Sequence, residues 1–239
     1  MINLFFKVRY LFCSDKLVAI SSLIILLGCN TGTGVKAPVV EGEMLLETTV
    51  KYAEGFTIEQ FEGYKVLTIN EAWKDIGETY KYVLYQDDRP ANIPGAMFIK
   101  IPIKSIACMS LTHVAFLEKL GVENSIVGIS GCDYVSSIKI NAAITKHKIK
   151  EIGQDQNLNY EILVESAPDI VMAYGINSSS NGSIKKKKEL GLRVVLNSEY
   201  METHPLGKAE WIKFVAAFYN ISESADSIFN NIEEEYLGL

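Results

Sequence analysis

The side chains best suited to chemistry lie in four short stretches, each of which directly follows a predicted strand. These stretches combine tyrosines with small polar groups and contain no Lys or Arg. A tyrosine offers both a ring face and a hydroxyl, so the set favours binding of a flat, partly apolar ligand. The candidate ligand-binding residues are Met109, Ser110, Thr112, His113, Cys132, Asp133, Tyr134, Tyr174, Asn177 and Tyr200.

The residue patterns typical of enzymes and metal sites do not occur. No G-x-G-x-x-G follows the first parallel strand, and the sequence has neither a P-loop nor a G-x-S-x-G motif. His113, His147 and His204 lie in different loops without ligand spacing. We therefore predict a protein that is not an enzyme, with no catalytic residue, no metal site and no cofactor.

Cys108 and Cys132 are too few and too far apart in the sequence for a zinc site. A disulfide between them and two free buried thiols are both compatible with the sequence.

The composition indicates a globular protein with a sizeable core. The 239 residues are enough for one large domain or two small ones. Of these residues, 48% are hydrophobic and 22% are charged, which is close to the composition of ordinary globular proteins. The net charge is -6, and the longest basic run, residues 185–188, is typical of the solvated side of a helix. No nucleic-acid partner is predicted.

The first residues form an export segment. Lys7, Arg9 and Lys16 supply positive charge, and the apolar run at residues 17–27 is shorter than the about 20 residues of a membrane-spanning helix. The run ends at Leu26-Leu27-Gly28-Cys29, which resembles a bacterial lipobox. This resemblance implies cleavage before Cys29 and its acylation, hence a periplasmic, membrane-anchored lipoprotein. Residues 1–28 are then the signal peptide and 29–46 a flexible tether; an uncleaved signal anchor is the alternative.

The remaining chain divides into a β-rich segment and an α/β segment. Residues 47–102 contain three aromatic and β-branched runs, which predict a small antiparallel sheet. Residues 103–221 alternate strands with helices, which predicts a Rossmann-like lobe of about four parallel strands. The loops that follow such strands share one edge of the sheet, so the four candidate stretches are expected to meet there.

The predicted strands are 55–58, 64–69, 80–85, 105–108, 125–129, 170–173 and 193–196. Helices are expected after residue 110 up to Gly121, at 160–166, 185–190 and 206–219, and after the cap candidate Ser222.

Several stretches of this α/β segment resemble a known family in their order and spacing. They are residues 106–112, 117–121, 126–134, 159–161, 167–171 and 190–195. They resemble the first lobe of the periplasmic iron-siderophore and vitamin B12 binding proteins of ABC importers, which are class III periplasmic binding proteins. Residues 205–211 look like the version found in Bacteroidetes lipoproteins.

The resemblance implies two lobes joined by one rigid helix, with an iron chelate (siderophore or haem) or cobalamin clamped between them. The ligand itself would carry iron or cobalt, and the partners would be an ABC permease and its ATPase. Glu161 occupies the position that docks on permease arginines; an ordinary exposed carboxylate is the alternative.

Residues 222–239 would begin the linking helix, so we interpret the sequence as a first lobe only. It would be either part of a truncated protein or a half-protein with another role. Its far apolar stripe is expected to pack on the second lobe. The loops without Lys or Arg slightly favour a corrinoid or a weakly charged chelate. The rival hypotheses are an interaction lipoprotein that has lost transport and a chelatase-like Rossmann-type enzyme.

Overall fold

The computed structural model describes residues 44–47, 50–70, 79–154, 157–175 and 178–238. The predicted signal peptide, the acylation site Cys29 and the candidate ligand residue Asn177 lie outside the described residues. Within these ranges, no helix is both long and apolar enough to cross a membrane.

The first sheet has five strands in chain order, β1-β2-β3-β4-β5. The turn between β2 and β3 uses Gly63 at a φ of 79°, a conformation that glycine adopts without strain. β5 pairs parallel to β4, so the prediction of a wholly antiparallel sheet is wrong. Parallel neighbours need a connection that crosses back, and residues 86–95 with Pro90 and Pro94 supply it. The strands are β1 (Met44–Glu47), β2 (Phe56–Phe61), β3 (Tyr64–Ile69), β4 (Tyr80–Tyr85) and β5 (Ala96–Lys100).

The second sheet is parallel throughout, with the order β10-β9-β6-β7-β8. The predicted α/β class is therefore confirmed. The sheet has five strands instead of about four because a two-residue strand, too short to leave a periodic pattern, pairs at its edge. The strands are β6 (Ile106–Cys108), β7 (Ile126–Ile129), β8 (Lys150–Glu151), β9 (Ile170–Ala173) and β10 (Val194–Leu196).

Within the described ranges, six α-helices accompany the parallel sheet. Ser110, Ser137 and Asn159 cap three of them by accepting hydrogen bonds from backbone N–H groups of the first turn. Ser222 is the first residue of the last helix and not its cap, because Ile221 occupies the cap position. The helices are α1 (Leu111–Lys119), α2 (Ile138–Thr145), α3 (Tyr160–Glu165), α4 (Ser178–Glu189), α5 (Pro205–Ala217) and α6 (Ser222–Leu237).

The two sheets share one core. Phe56 of β2 packs against Trp211 and Phe214 of α5, with ring centroids 4.8 Å and 5.5 Å apart. At the edge strand β10, the Leu196 N–H donates to the Tyr82 hydroxyl of β4 at 2.9 Å. This bond occupies a backbone donor that an edge strand would otherwise expose. The first sheet thus belongs to the same compact unit as the parallel sheet.

Two buried carboxylates hold residues 51–55 on α5. Glu210 accepts the backbone N–H groups of Lys51, Tyr52 and Ala53 at 2.7–3.0 Å. Glu202 accepts those of Glu54 and Gly55 at 3.0–3.1 Å, and also the Trp211 Nε1–H at 2.9 Å. The sequence carries no signal for the contacts to residues 51–55, because each joins residues between 147 and 159 positions apart. They fix the position of the segment that leads into β2.

The apolar stripe of α6 packs on this lobe along most of its length. Ala225 and Phe229 are buried against α5. Further along, Glu233 accepts bonds from the Lys51 ammonium at 2.9 Å and the Tyr52 hydroxyl at 2.7 Å. Tyr236 contacts the His204 ring edge-on. The far end of the stripe, expected to serve a second lobe, therefore contacts the first lobe as well.

Candidate functional site

The candidate site lies where the parallel strands end at their carboxyl side. Ladder hydrogen bonds continue to this edge, since Met109 N–H donates to the Met172 carbonyl and Asn197 N–H to the Ala173 carbonyl. Four loops leave the sheet there, after β6, β7, β9 and β10, as expected from the alternation of strands and helices. We call them the rim loops; their described residues are 109–112, 130–134, 174–175 and 197–203.

Six of the predicted ligand residues keep accessible side chains in the rim loops. Tyr134 is the most open, with 72% of its surface exposed, and Tyr200 is 39% exposed. The exposed or half-buried candidates are Ser110, Thr112, Asp133, Tyr134, Tyr174 and Tyr200.

Met109, His113 and Cys132 were also predicted to touch the ligand, and the structure contradicts this. All three side chains are buried below the rim. Met109 continues the sheet ladder and Cys132 follows a turn that points inward, so both pack in the core. Buried in this way, the three residues support the rim loops from below.

The loop after β7 is held by Glu151 of β8. Its carboxylate accepts the N–H groups of Gly131, Cys132 and Gly153 at 2.6–3.1 Å. Burial raises the pKa of Glu151, but these backbone bonds outweigh it and leave the pKa lowered. Burial and the Glu151 charge together raise the pKa of the Cys132 thiol to about 12. Asp133 and Tyr134 are thereby presented on a fixed turn.

The loops after β9 and β10 are tied together. The Tyr200 hydroxyl donates to the Gly175 carbonyl. The Asn197 Oδ1 atom accepts a hydrogen bond from the Glu199 N–H at 3.1 Å. This bond closes an Asx turn. Tyr200 therefore contributes mainly its ring face to the rim.

Glu199 is a site residue that the sequence analysis missed. It follows β10 directly, yet its side chain is only 6% exposed. Burial raises the pKa of its carboxyl, and a hydrogen bond with the Thr112 side chain lowers it in part. Its Oε2 atom has no hydrogen-bond partner among the described residues. Its position directly after a strand was the available signal, but loop carboxylates are usually exposed.

His113 is fully buried at the start of α1. Burial lowers the pKa of its imidazole to about 3, and the nearby Met172 carbonyl offsets this slightly. Neither ring nitrogen makes a hydrogen bond of good geometry within the described structure. Among the described residues, no group of three or more His, Cys, Asp or Glu is arranged to hold a metal ion.

Of the two arrangements that the sequence left open for Cys108 and Cys132, the structure has free buried thiols.

Glu161 lies apart from the rim loops, on the exposed side of the first turn of α3. It lines an open cavity of about 550 Å³ together with Tyr160, Val164, Glu165 and Leu190. The cavity mixes two exposed carboxylates with two partly exposed aliphatic side chains. Such a surface is suited to contact another protein.

The fold is α/β, and the rim loops form a candidate ligand site at one edge of its parallel sheet. Residues 106–239, more than half of the sequence, match the family model described as Periplasmic binding protein. The chain belongs to this family.

Curated relatives include two uncharacterized lipoproteins of Methanocaldococcus jannaschii. One is 32% identical over 145 residues, which cover 58% of this chain and 35% of the relative. The other is 33% identical over 193 residues, which cover 77% and 47%. The chain spans between 35% and 47% of the length of the curated relatives it matches.

Similar solved structures include the periplasmic vitamin B12 binding protein of Vibrio cholerae, at 13% identity and a TM-score of 0.43. The match covers 57% of this chain and 49% of that one. A periplasmic heme binding protein from Pseudomonas aeruginosa matches at 16% identity and a TM-score of 0.44, over 55% and 44% of the two chains.

Proposed function

We propose that this chain forms the first lobe of a substrate-binding lipoprotein of an ABC importer, and that it captures a metal chelate or a corrinoid without catalysing a reaction. The observation that supports this most is the meeting of four rim loops at one edge of a parallel sheet. Their exposed tyrosines and small polar groups offer ring faces and hydrogen bonds to a flat ligand. Membership of a family of binding proteins favours capture over chemistry.

Titration of the chain with cyanocobalamin, haemin and a ferric hydroxamate siderophore tests this function. We expect saturable one-to-one binding of one of these classes, measured by calorimetry. Tyr134→Ala should weaken that binding on the order of tenfold, because an exposed ring at a binding centre contributes about 1–2 kcal/mol. Leu190→Ala, an exposed apolar change outside the rim loops, is the matched control. Absence of saturable binding by all three probes would contradict the proposal.

Anchoring is the second part of the proposal. Cys29 ends an apolar export segment and precedes a small polar stretch. Cys29→Ser should release the protein from membranes or block its processing, because acyl chains supply the hydrophobic area that holds it there. Cell fractionation and electrophoretic mobility measure this, with Cys13→Ser as the control. Unchanged membrane retention and mobility of the Cys29 variant would rule out acylation at this residue.

Docking on a permease is the third part. Glu161 is exposed on α3 and lies outside the rim loops, so its charge is available to a partner. We expect Glu161→Arg to reduce import through the cognate permease at least tenfold while leaving the ligand dissociation constant within twofold. Transport into vesicles that contain the permease measures the first quantity, and Glu223→Arg on α6 is the control. Loss of ligand affinity would instead assign Glu161 to the ligand site.

A further inference from the structure

Within the described part of the chain, one buried carboxylate at the rim loops lacks a hydrogen-bond partner for one of its oxygens. Glu199 is 6% exposed, and its Oε2 atom has no hydrogen-bond partner among the described residues. A buried carboxylate oxygen without a partner is costly, and native proteins usually satisfy such atoms. Two other carboxylates that hold the rim loops are used: the buried Glu202 accepts three N–H groups, and the exposed Glu151 also accepts three. Glu199 therefore differs from its neighbours.

The surroundings of Glu199 connect it with the accessible part of the rim. The Thr112 side chain lies near enough to lower the pKa of the Glu199 carboxyl, and Thr112 is exposed at the start of α1. The following residue, Tyr200, presents its ring at the rim. Lys208, whose exposed side chain lies on α5, acts on Glu199 through its charge and lowers the pKa of the carboxyl. Because Thr112 opens to the surface, a ligand group bound there lies next to the carboxylate.

The described rim loops carry negative charge and contribute no cation of their own. Asp133 is exposed, Glu199 is buried, and residues 109–112, 130–134, 174–175 and 197–203 contain no Lys or Arg. A ligand that presents carboxylates to this surface would be repelled, whereas amide N–H, hydroxyl or ammonium donors would be attracted.

On this basis we infer that Glu199 is a ligand-binding residue, and that it selects ligands presenting hydrogen-bond donors and rejects ligands presenting carboxylates. The inference rests on the proposed function and narrows its substrate class: an amide-bearing corrinoid fits the rim, and a chelate with free carboxylates does not. A donor group from such a ligand satisfies Oε2, the oxygen that has no partner among the described residues.

The test compares two probes of opposite chemistry on the full chain. Cyanocobalamin carries primary amides around its ring, and haemin carries two propionate carboxylates. Both are titrated at pH 8 into the wild-type chain, Glu199→Gln and Glu199→Ala, with Glu165→Gln as a control for loss of an exposed charge outside the rim. Circular dichroism and urea unfolding establish that each variant is folded.

We expect the wild-type chain to bind cyanocobalamin more tightly than haemin. Glu199→Gln should weaken cyanocobalamin binding about tenfold, because a charge-assisted hydrogen bond becomes a neutral one. The same variant should bind haemin equally well or more tightly, since a repelling charge is removed. Glu199→Ala should weaken cyanocobalamin binding further, and Glu165→Gln should change neither affinity.

The outcomes separate this inference from the function on which it rests. Opposite shifts for the two probes support the role of Glu199. Equal weakening of both probes would show a purely structural residue, and unchanged affinities would show that no ligand reaches it; either result overturns the inference and leaves the binding function intact. A wild-type chain that binds neither probe overturns the inference, and the siderophore titration then decides whether the binding function also falls.

Discussion

Acidification from pH 6.5 to pH 3 is expected to lower the free energy of unfolding by up to about 5 kcal/mol through His113 alone. Burial lowers the pKa of this imidazole from 6.5 to about 3 in the folded chain. Between these two values the unfolded chain binds a proton that the folded chain does not, so stability falls as the pH falls. Above pH 6.5 both states are neutral at this position, and the full stability is present.

Urea unfolding at pH 7, 5 and 4 measures this effect. His113→Phe is close in shape and has no titrating group, so its stability should fall less steeply with acid than that of the wild-type chain. His147→Asn serves as a matched control, because His147 is exposed and asparagine tolerates its positive φ of 54°. Parallel pH profiles for the wild-type chain and His113→Phe would show that His113 is protonated in the folded state.

Replacing Glu210 by glutamine should destabilise the fold by about 3–5 kcal/mol, as expected when one partner of a buried ion pair is removed. Glu210 is fully buried and accepts three consecutive backbone N–H groups. It also pairs with the Lys213 ammonium at 3.0 Å, and that side chain is itself only 7% exposed. The variant leaves this cation without its closest carboxylate and presents an amide to donors that need an acceptor.

The same unfolding measurement tests this, with Glu223→Gln on the exposed side of α6 as the control. The control should stay within about 0.5 kcal/mol of the wild-type chain, as surface changes usually do. Hydrogen exchange should also increase at residues 51–55 in the Glu210 variant. A variant as stable as the control would mean that the carboxylate does not hold the first sheet in place.

Patterns that depend on neighbouring residues were predictable from the sequence. The strands at 64–69 and 80–85 have the predicted bounds, because aromatic and β-branched residues mark them and turn residues border them. The alternation of strands with helices likewise predicted the parallel sheet. The parallel pairing of β5 with β4 was missed. The length of the connection and its prolines do not show in which direction the next strand pairs.

The location of the rim loops was predictable, but the burial of single side chains was not. Strand order and direction bring the four loops to one edge whatever their side chains are. Whether His113 faces the ligand or the core depends on how α1 packs on β6 and β7, which no local pattern records. Glu199 and Glu151 owe their positions to contacts between separate strands and loops, and Glu202 and Glu210 to contacts with residues far apart in the chain. The sequence alone therefore provides no basis for telling which glutamates are buried and which are exposed.

Hydrogen exchange of the full chain, with and without the tightest-binding probe, tests the central claim most directly. The claim is that the rim loops hold the ligand. We expect protection to be concentrated at residues 109–112, 130–134, 174–175 and 197–203, because bound ligand excludes water from those loops and restricts their opening. Little change is expected at 56–70 in the first sheet and at 160–165 around Glu161. Protection of these two segments with unchanged rim loops would place the ligand elsewhere and contradict the account.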